Sequence, residues 1–138
     1  MTVVLGYDES PGADEALRVA IDVAKGFSEP LRVVYGAAPP GGLGEEFKAH
    51  QAALAEMGQL ATGHALDRAQ QEGVDAAVDV VSAKPAEALL RVAEECGARL
   101  IVVGTSGESP IKSAMLGSTP HKLLQLSSIP VLCVPAQG

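Results

Sequence analysis

The residues of this chain best placed for chemistry form a glycine-bracketed stretch. It reads Gly104-Thr105-Ser106-Gly107, then nine residues, then Gly117-Ser118-Thr119-Pro120. Glycine leaves backbone N–H groups open to close approach by a ligand, and hydroxyl residues at a helix start add donors. Together these are the means of holding an anion such as phosphate. A connection this long inside a small domain exceeds the ordinary range, which points to a functional role. A second chemical group, the carboxylate of Asp8, closes the apolar run Thr2 to Tyr7 far away in sequence.

Other constellations are missing. His50, His64 and His121 have no spacing that fits a metal or a proton relay. Neither a G-x-G-x-x-G turn nor a Walker lysine occurs, which argues against dinucleotide redox chemistry and P-loop hydrolysis. Lys112 and Lys122 lie near the glycine stretch and read first as solvated surface lysines. Cys96 and Cys133 show no C-x-x-C or metal-ligand spacing and read as small core residues.

The elements that must position these groups alternate strictly. Thr2 to Tyr7 reads as a strand, and Ser10-Pro11 caps and opens a helix carrying Ala13, Ala16, Leu17, Ala20 and Ala24 at helical spacing. Leu31 to Ala37 is a second strand, followed by the loop Ala38 to Gly44. Glu45 to Glu72 is a long helix with Leu54, Met57, Ala61, Ala65 and Ala69 as its apolar stripe, ended by Gly73. Ala76 to Val81 is the third strand, Pro85 opens a helix that Gly97 closes, and Leu100 to Val103 is a buried fourth strand. Pro120 opens a short last helix before the strand Val131 to Val134. The order β-α-β-α-β-α-β-α-β predicts an α/β three-layer sandwich with a five-stranded parallel sheet, Rossmann-like or flavodoxin-like, in strand order 3-2-1-4-5. That order opens a crevice at the carboxyl ends of strands 1 and 4, with Asp8 on one lip and Gly104 on the other.

Composition fits this frame. The 138 residues make one domain, 1–138, with 47% hydrophobic but 3% aromatic residues, so aliphatic side chains and alanine must build the core. A net charge of -7 and a pI near 4.8 argue against nucleic acid or an anionic membrane as partner. No apolar run reaches the length of a membrane span, and no secretory leader opens the sequence, so a soluble cytoplasmic protein is expected.

Over essentially its whole length the chain resembles the universal stress protein family. The resemblance rests on the element order, the early Asp8, Pro85, the closing Ile129-Pro130-Val131-Leu132-Cys133-Val134-Pro135, and above all the spacing G-x2-G-x9-G-[S/T] met by Gly104, Gly107, Gly117 and Ser118. It implies the adenine nucleotide alpha hydrolase-like form of the fold and an adenine nucleotide as ligand. ATP comes first, with ADP, AMP or cyclic AMP as alternatives, with or without Mg2+. In that picture Asp8 accepts from ribose hydroxyls, backbone near Gly36 meets adenine, and Gly104, Gly107, Gly117, Ser118 and Thr119 hold phosphate. Also implied is a homodimer paired through the final strand. The leading reading is a non-catalytic or very slowly catalytic nucleotide-binding module whose ligand occupancy reports cell state to an unidentified protein partner.

The chain departs from the family pattern at Glu9, Ala83 and Arg99, at Glu108 beside the loop, and at Pro120, where the family commonly has a hydroxyl residue. Glu108 would repel a polyphosphate unless a cation intervened, and Pro120 removes a donor, so AMP or cyclic AMP competes with ATP. Two further readings stand beside the nucleotide sensor. One is a slow ATP hydrolase or self-phosphorylating protein with Ser106, Ser109 or Ser113 as acceptor. The other is a dimeric scaffold that binds no nucleotide.

Overall fold

Runs of valine, leucine and isoleucine make the strands, and stretches spaced by alanine make the helices that cover them. The computed structural model of the chain describes residues 1–8, 10–38, 44–105 and 116–136. Gly107, Ser106, Glu108, Ser109, Lys112 and Ser113, and most of the loop after the second strand, lie outside these. The order is β1 (Thr2–Gly6), α1 (Pro11–Phe27), β2 (Leu31–Gly36), α2 (Glu45–Gln71), β3 (Ala76–Val81), α3 (Pro85–Cys96), β4 (Ala98–Gly104), α4 (Ser118–Leu126) and β5 (Val131–Val134).

All four strand pairings are parallel, and the sheet order is β3-β2-β1-β4-β5, the flavodoxin-like arrangement. Alternation along the strands divides the core in two. Val3, Leu5, Val33 and Val102 pack with α1 and α2 on one face. Val4, Val34, Ile101 and Val103 pack with α3 and Leu123 of α4 on the other. Cys96 and Cys133 sit half-buried against this second cluster, and burial pushes both thiols above their ordinary pKa.

Helix ends follow the local chemistry. Ser10 caps α1, its Oγ accepting from the Ala13 N–H at 3.2 Å with Pro11 behind it. Gly97 ends α3 in the left-handed region at φ 62°, where a Cβ would be strained.

Three expectations need correction. First, β4 starts at Ala98 rather than Leu100, because Ala98 already pairs with Thr2 across an irregular register. Second, α4 starts at Ser118 rather than Pro120. Proline at the third helical position gives up only an N–H that the first turn leaves without an intrahelical acceptor, so it need not open the helix. Third, Met57 is 56% exposed and does not belong to the buried stripe of α2, which runs through Gly58, Ala61, Thr62, Ala65 and Ala69. The helix meets the sheet at Gly58, where a Cβ would stand 2.7 Å from Tyr35 Cδ1 and 2.9 Å from Val80 Cγ1. That close approach rotates Met57 outward.

Arg99, one of the departures from the family pattern, has a structural partner at the amino-terminal end of the sheet. Its guanidinium donates to Glu29 through Nε at 2.8 Å and Nη2 at 2.6 Å, and lies 4.1 Å from the centre of the Phe27 ring. The hydrogen bonds from Arg99, more than its charge alone, hold the Glu29 carboxyl below the ordinary carboxylate range, although partial burial opposes them. A carboxylate whose folded pKa is lowered stabilises the fold above its unfolded pKa, and that contribution is lost as pH falls through the folded value. Melting temperature should therefore fall on acidification through this window. Arg99→Met should flatten that part of the profile, as measured by thermal melts across pH.

Candidate binding crevice

Where β1 lies between β2 and β4, their onward connections leave in opposite directions and a gap opens at their carboxyl ends. The gap is a crevice of about 150 Å³ lined from six elements and the segments beside them. The amino-terminal ends of three helices meet there: Ser10 and Ala13 at α1, Pro85 and Leu89 at α3, and Gly117, Ser118, Thr119 and Pro120 at α4. Helix amino termini carry partial positive charge, so an anion is favoured at this end of the sheet.

Asp8, Gly36, Gly104, Gly117, Ser118 and Thr119 all line this crevice, brought together from four parts of the chain. Gly107 lies outside the described residues. Asp8 is exposed at the lip, and its Oδ1 accepts from the Ser10 N–H at 3.0 Å. This Asx turn holds the carboxylate through one oxygen. Among the described lining residues Asp8 is the one that carries a formal charge.

Opposite Asp8, the Gly117 N–H donates to the Thr105 carbonyl at 2.8 Å, tying the start of α4 to the end of β4. Gly117 is the helix cap, and Ser118 and Thr119 are the first two helical residues rather than caps. Their two N–H groups have no acceptor within the helix. Pro120 has no N–H, and the next one, from His121, is already given to the Gly117 carbonyl at 3.1 Å. The start of α4 therefore offers two backbone donors and two hydroxyls. Lys122 and His121 are exposed on α4 and do not line the crevice, and Lys112 lies outside the described residues.

The glycines have a role that the sequence pattern does not disclose. A Cβ on Gly104 would stand 2.8 Å from both the carbonyl carbon and oxygen of Gly12, in the first turn of α1. On Gly36 it would stand 2.7 Å from Ala88 Cβ and 3.0 Å from Ala83 O, and on Gly6 2.9 Å from Leu89 Cδ1. These glycines let helix ends settle onto strand ends and so form the crevice walls. Gly117 differs, since its nearest neighbour, Thr105 O, would be 3.2 Å away, and its φ of -60° suits any residue.

Sequence reasoning missed the apolar floor formed by Val34, Leu89 and Val103, with Gly6 and Pro85 beside it. The signal was present in the period of two. Gly6, Val34, Gly36 and Val103 lie within two residues of strand ends on the face that also carries Val4 and Ile101.

A family model described as the universal stress protein family matches residues 1–135. The chain is 45% identical over 71 residues to universal stress protein YxiE of Bacillus subtilis, spanning 51% of this chain and about half, 48%, of that relative. It is 35% identical over 137 residues to a universal stress protein of Thermus aquaticus from the QAH/OAS sulfhydrylase 3′ region, covering 96% of this chain and 97% of that one. Among solved structures, a universal stress protein in complex with cAMP superposes with a TM-score of 0.74 at 29% identity, over 99% of this chain and 98% of that chain. A universal stress protein from Archaeoglobus fulgidus in complex with dAMP gives a TM-score of 0.69 at 23% identity over 97% of each chain, a likeness of fold alone.

Proposed function

The chain belongs to the universal stress protein family, and on that premise we propose that it binds an adenine nucleotide in the crevice between β1 and β4. The observation that carries this reading is the convergence on one crevice of the Asp8 carboxylate, an apolar floor, and the two N–H groups that open α4. In this reading the base lies on Val34, Leu89 and Val103 near the Gly36 backbone. Asp8 accepts from the ribose hydroxyls, and Ser118 and Thr119 with the Gly104 to Gly117 loop hold phosphate. The ligand bound by a 29%-identical neighbour, cAMP, supports the nucleotide class.

ATP is the nucleotide we assign first, and Pro120 favours a second reading. With one N–H missing from the first turn of α4, the site is better matched to the single phosphate of AMP or cyclic AMP. Pro120→Ser restores the missing donor. A hydrogen bond to a charged group contributes about 1.5–3 kcal/mol, so the variant should gain roughly tenfold or more in ATP affinity relative to cyclic AMP. Calorimetric titration with each nucleotide, with and without Mg2+, measures this. An unchanged ratio would remove the α4 start from the phosphate site.

We further read the chain as one domain acting in the cytoplasm, with occupancy reported to a protein partner. Among the described residues no helix is long and apolar enough to cross a membrane. β5 is an edge strand with β4 as its sheet neighbour, and Leu132 on it is 37% exposed. Such an edge is a template for pairing with another chain, which supports a homodimer through β5. Identification of the nucleotide released on denaturing gently purified protein tests the reading as a whole. An adenine nucleotide at near one equivalent is expected, and a stripped protein that takes up none would leave a scaffold.

A further inference from the structure

We propose that a hollow on the other face of the sheet, between α2 and the ends of β2 and β3, binds a compact aromatic molecule carrying one hydrogen-bonding group, of the phenol or indole class. This inference is independent of the nucleotide reading. Gly58 closes one end of the hollow by letting α2 touch Tyr35 and Val80. One turn earlier in α2, Leu54 and Ala55 line a space of about 160 Å³ together with Tyr35 and Val80. The space opens to solvent beside exposed Ala55, and an apolar volume of about 150 Å³ is the size that admits benzene. The space lies between a helix and strand ends, with Tyr35 among its walls. Aromatic rings prefer edge or offset contact with such a wall over open water.

The polar groups stand at the mouth. Gln51 Nε2 donates to Ser82 Oγ at 2.9 Å, and both residues line the hollow. A ligand O–H or N–H could give to the Gln51 carbonyl or to Ser82 Oγ while the ring fills the apolar part, so a ring with one polar group is matched and a charged one is not. Tyr35 is also among the residues that line the crevice between β1 and β4.

The test is a titration of the full chain, labelled at leucine and valine methyls, with indole, and with toluene as a ring lacking a donor. Saturable shifts at the Leu54 and Val80 methyls are expected from both, stronger for indole. Leu54→Trp should fill the hollow and abolish the shifts. Gln51→Ala, at a surface position that leaves folding intact, should weaken indole several-fold and leave toluene unchanged. Absence of saturable shifts at these methyls, shifts that survive Leu54→Trp in a folded protein, or equal weakening of both probes by Gln51→Ala would overturn the proposal.

Discussion

Gly104→Ala is expected to destabilise the fold by about 1–3 kcal/mol, the usual cost of forcing an extra methyl into a packed contact. The added carbon would meet the Gly12 backbone at 2.8 Å. Backbone on both sides cannot swing away as a flexible side chain can, so either β4 or the first turn of α1 must shift. Gly117→Ala provides the contrast, because its Cβ would meet Thr105 O at 3.2 Å with no strain in φ. Urea denaturation of both variants measures the difference. Equal stabilities would mean that Gly104 is retained for the ligand rather than for helix packing.

The second large effect falls on binding rather than folding. Asp8→Asn keeps a side-chain oxygen that can accept from the Ser10 N–H, so the turn into α1 and the melting temperature should stay close to those of the parent chain. What it removes is the charged acceptor at the lip. Hydrogen bonds to a charged group contribute about 1.5–3 kcal/mol, which predicts a loss of nucleotide affinity of roughly tenfold to a hundredfold. Calorimetry reads the affinity and a thermal melt reads the fold. A large fall in melting temperature with unchanged affinity would assign Asp8 to the α1 cap alone.

These two predictions mark where the sequence was legible. Strict alternation of aliphatic runs with alanine-spaced stretches was enough for the element order, and with the crossover rules for the sheet order that places Asp8 opposite Gly104. The spacing of Gly104, Gly117 and Ser118 pointed to the crevice. What the pattern could not convey was the work of individual glycines, because a missing Cβ reads the same whether it makes room for a phosphate or for a neighbouring helix. Gly36 and Gly104 turned out to touch α3 and α1, and Gly58 set the rotation of α2 against the natural guess of Met57. The apolar floor was overlooked for a related reason. Val34 and Val103 look like any core valines until the topology leaves the crevice open above them.

Arg99 teaches the same lesson at the opposite end of the sheet. Read along the chain it was only a departure from the family pattern, yet in space it binds Glu29 with two nitrogens and covers Phe27. Tertiary partners 70 residues apart are invisible to local spacing.

The central claim is that an adenine nucleotide occupies the crevice between β1 and β4, and amide chemical-shift mapping during titration with cyclic AMP, and separately with ATP, tests it most directly. The account predicts saturable shifts concentrated at the amides of Asp8, Gly36, Ser118 and Thr119; in Asp8→Asn those of Gly36, Ser118 and Thr119 should need roughly tenfold to a hundredfold more nucleotide to saturate. Shifts centred elsewhere on the sheet, or none with either nucleotide, would contradict it.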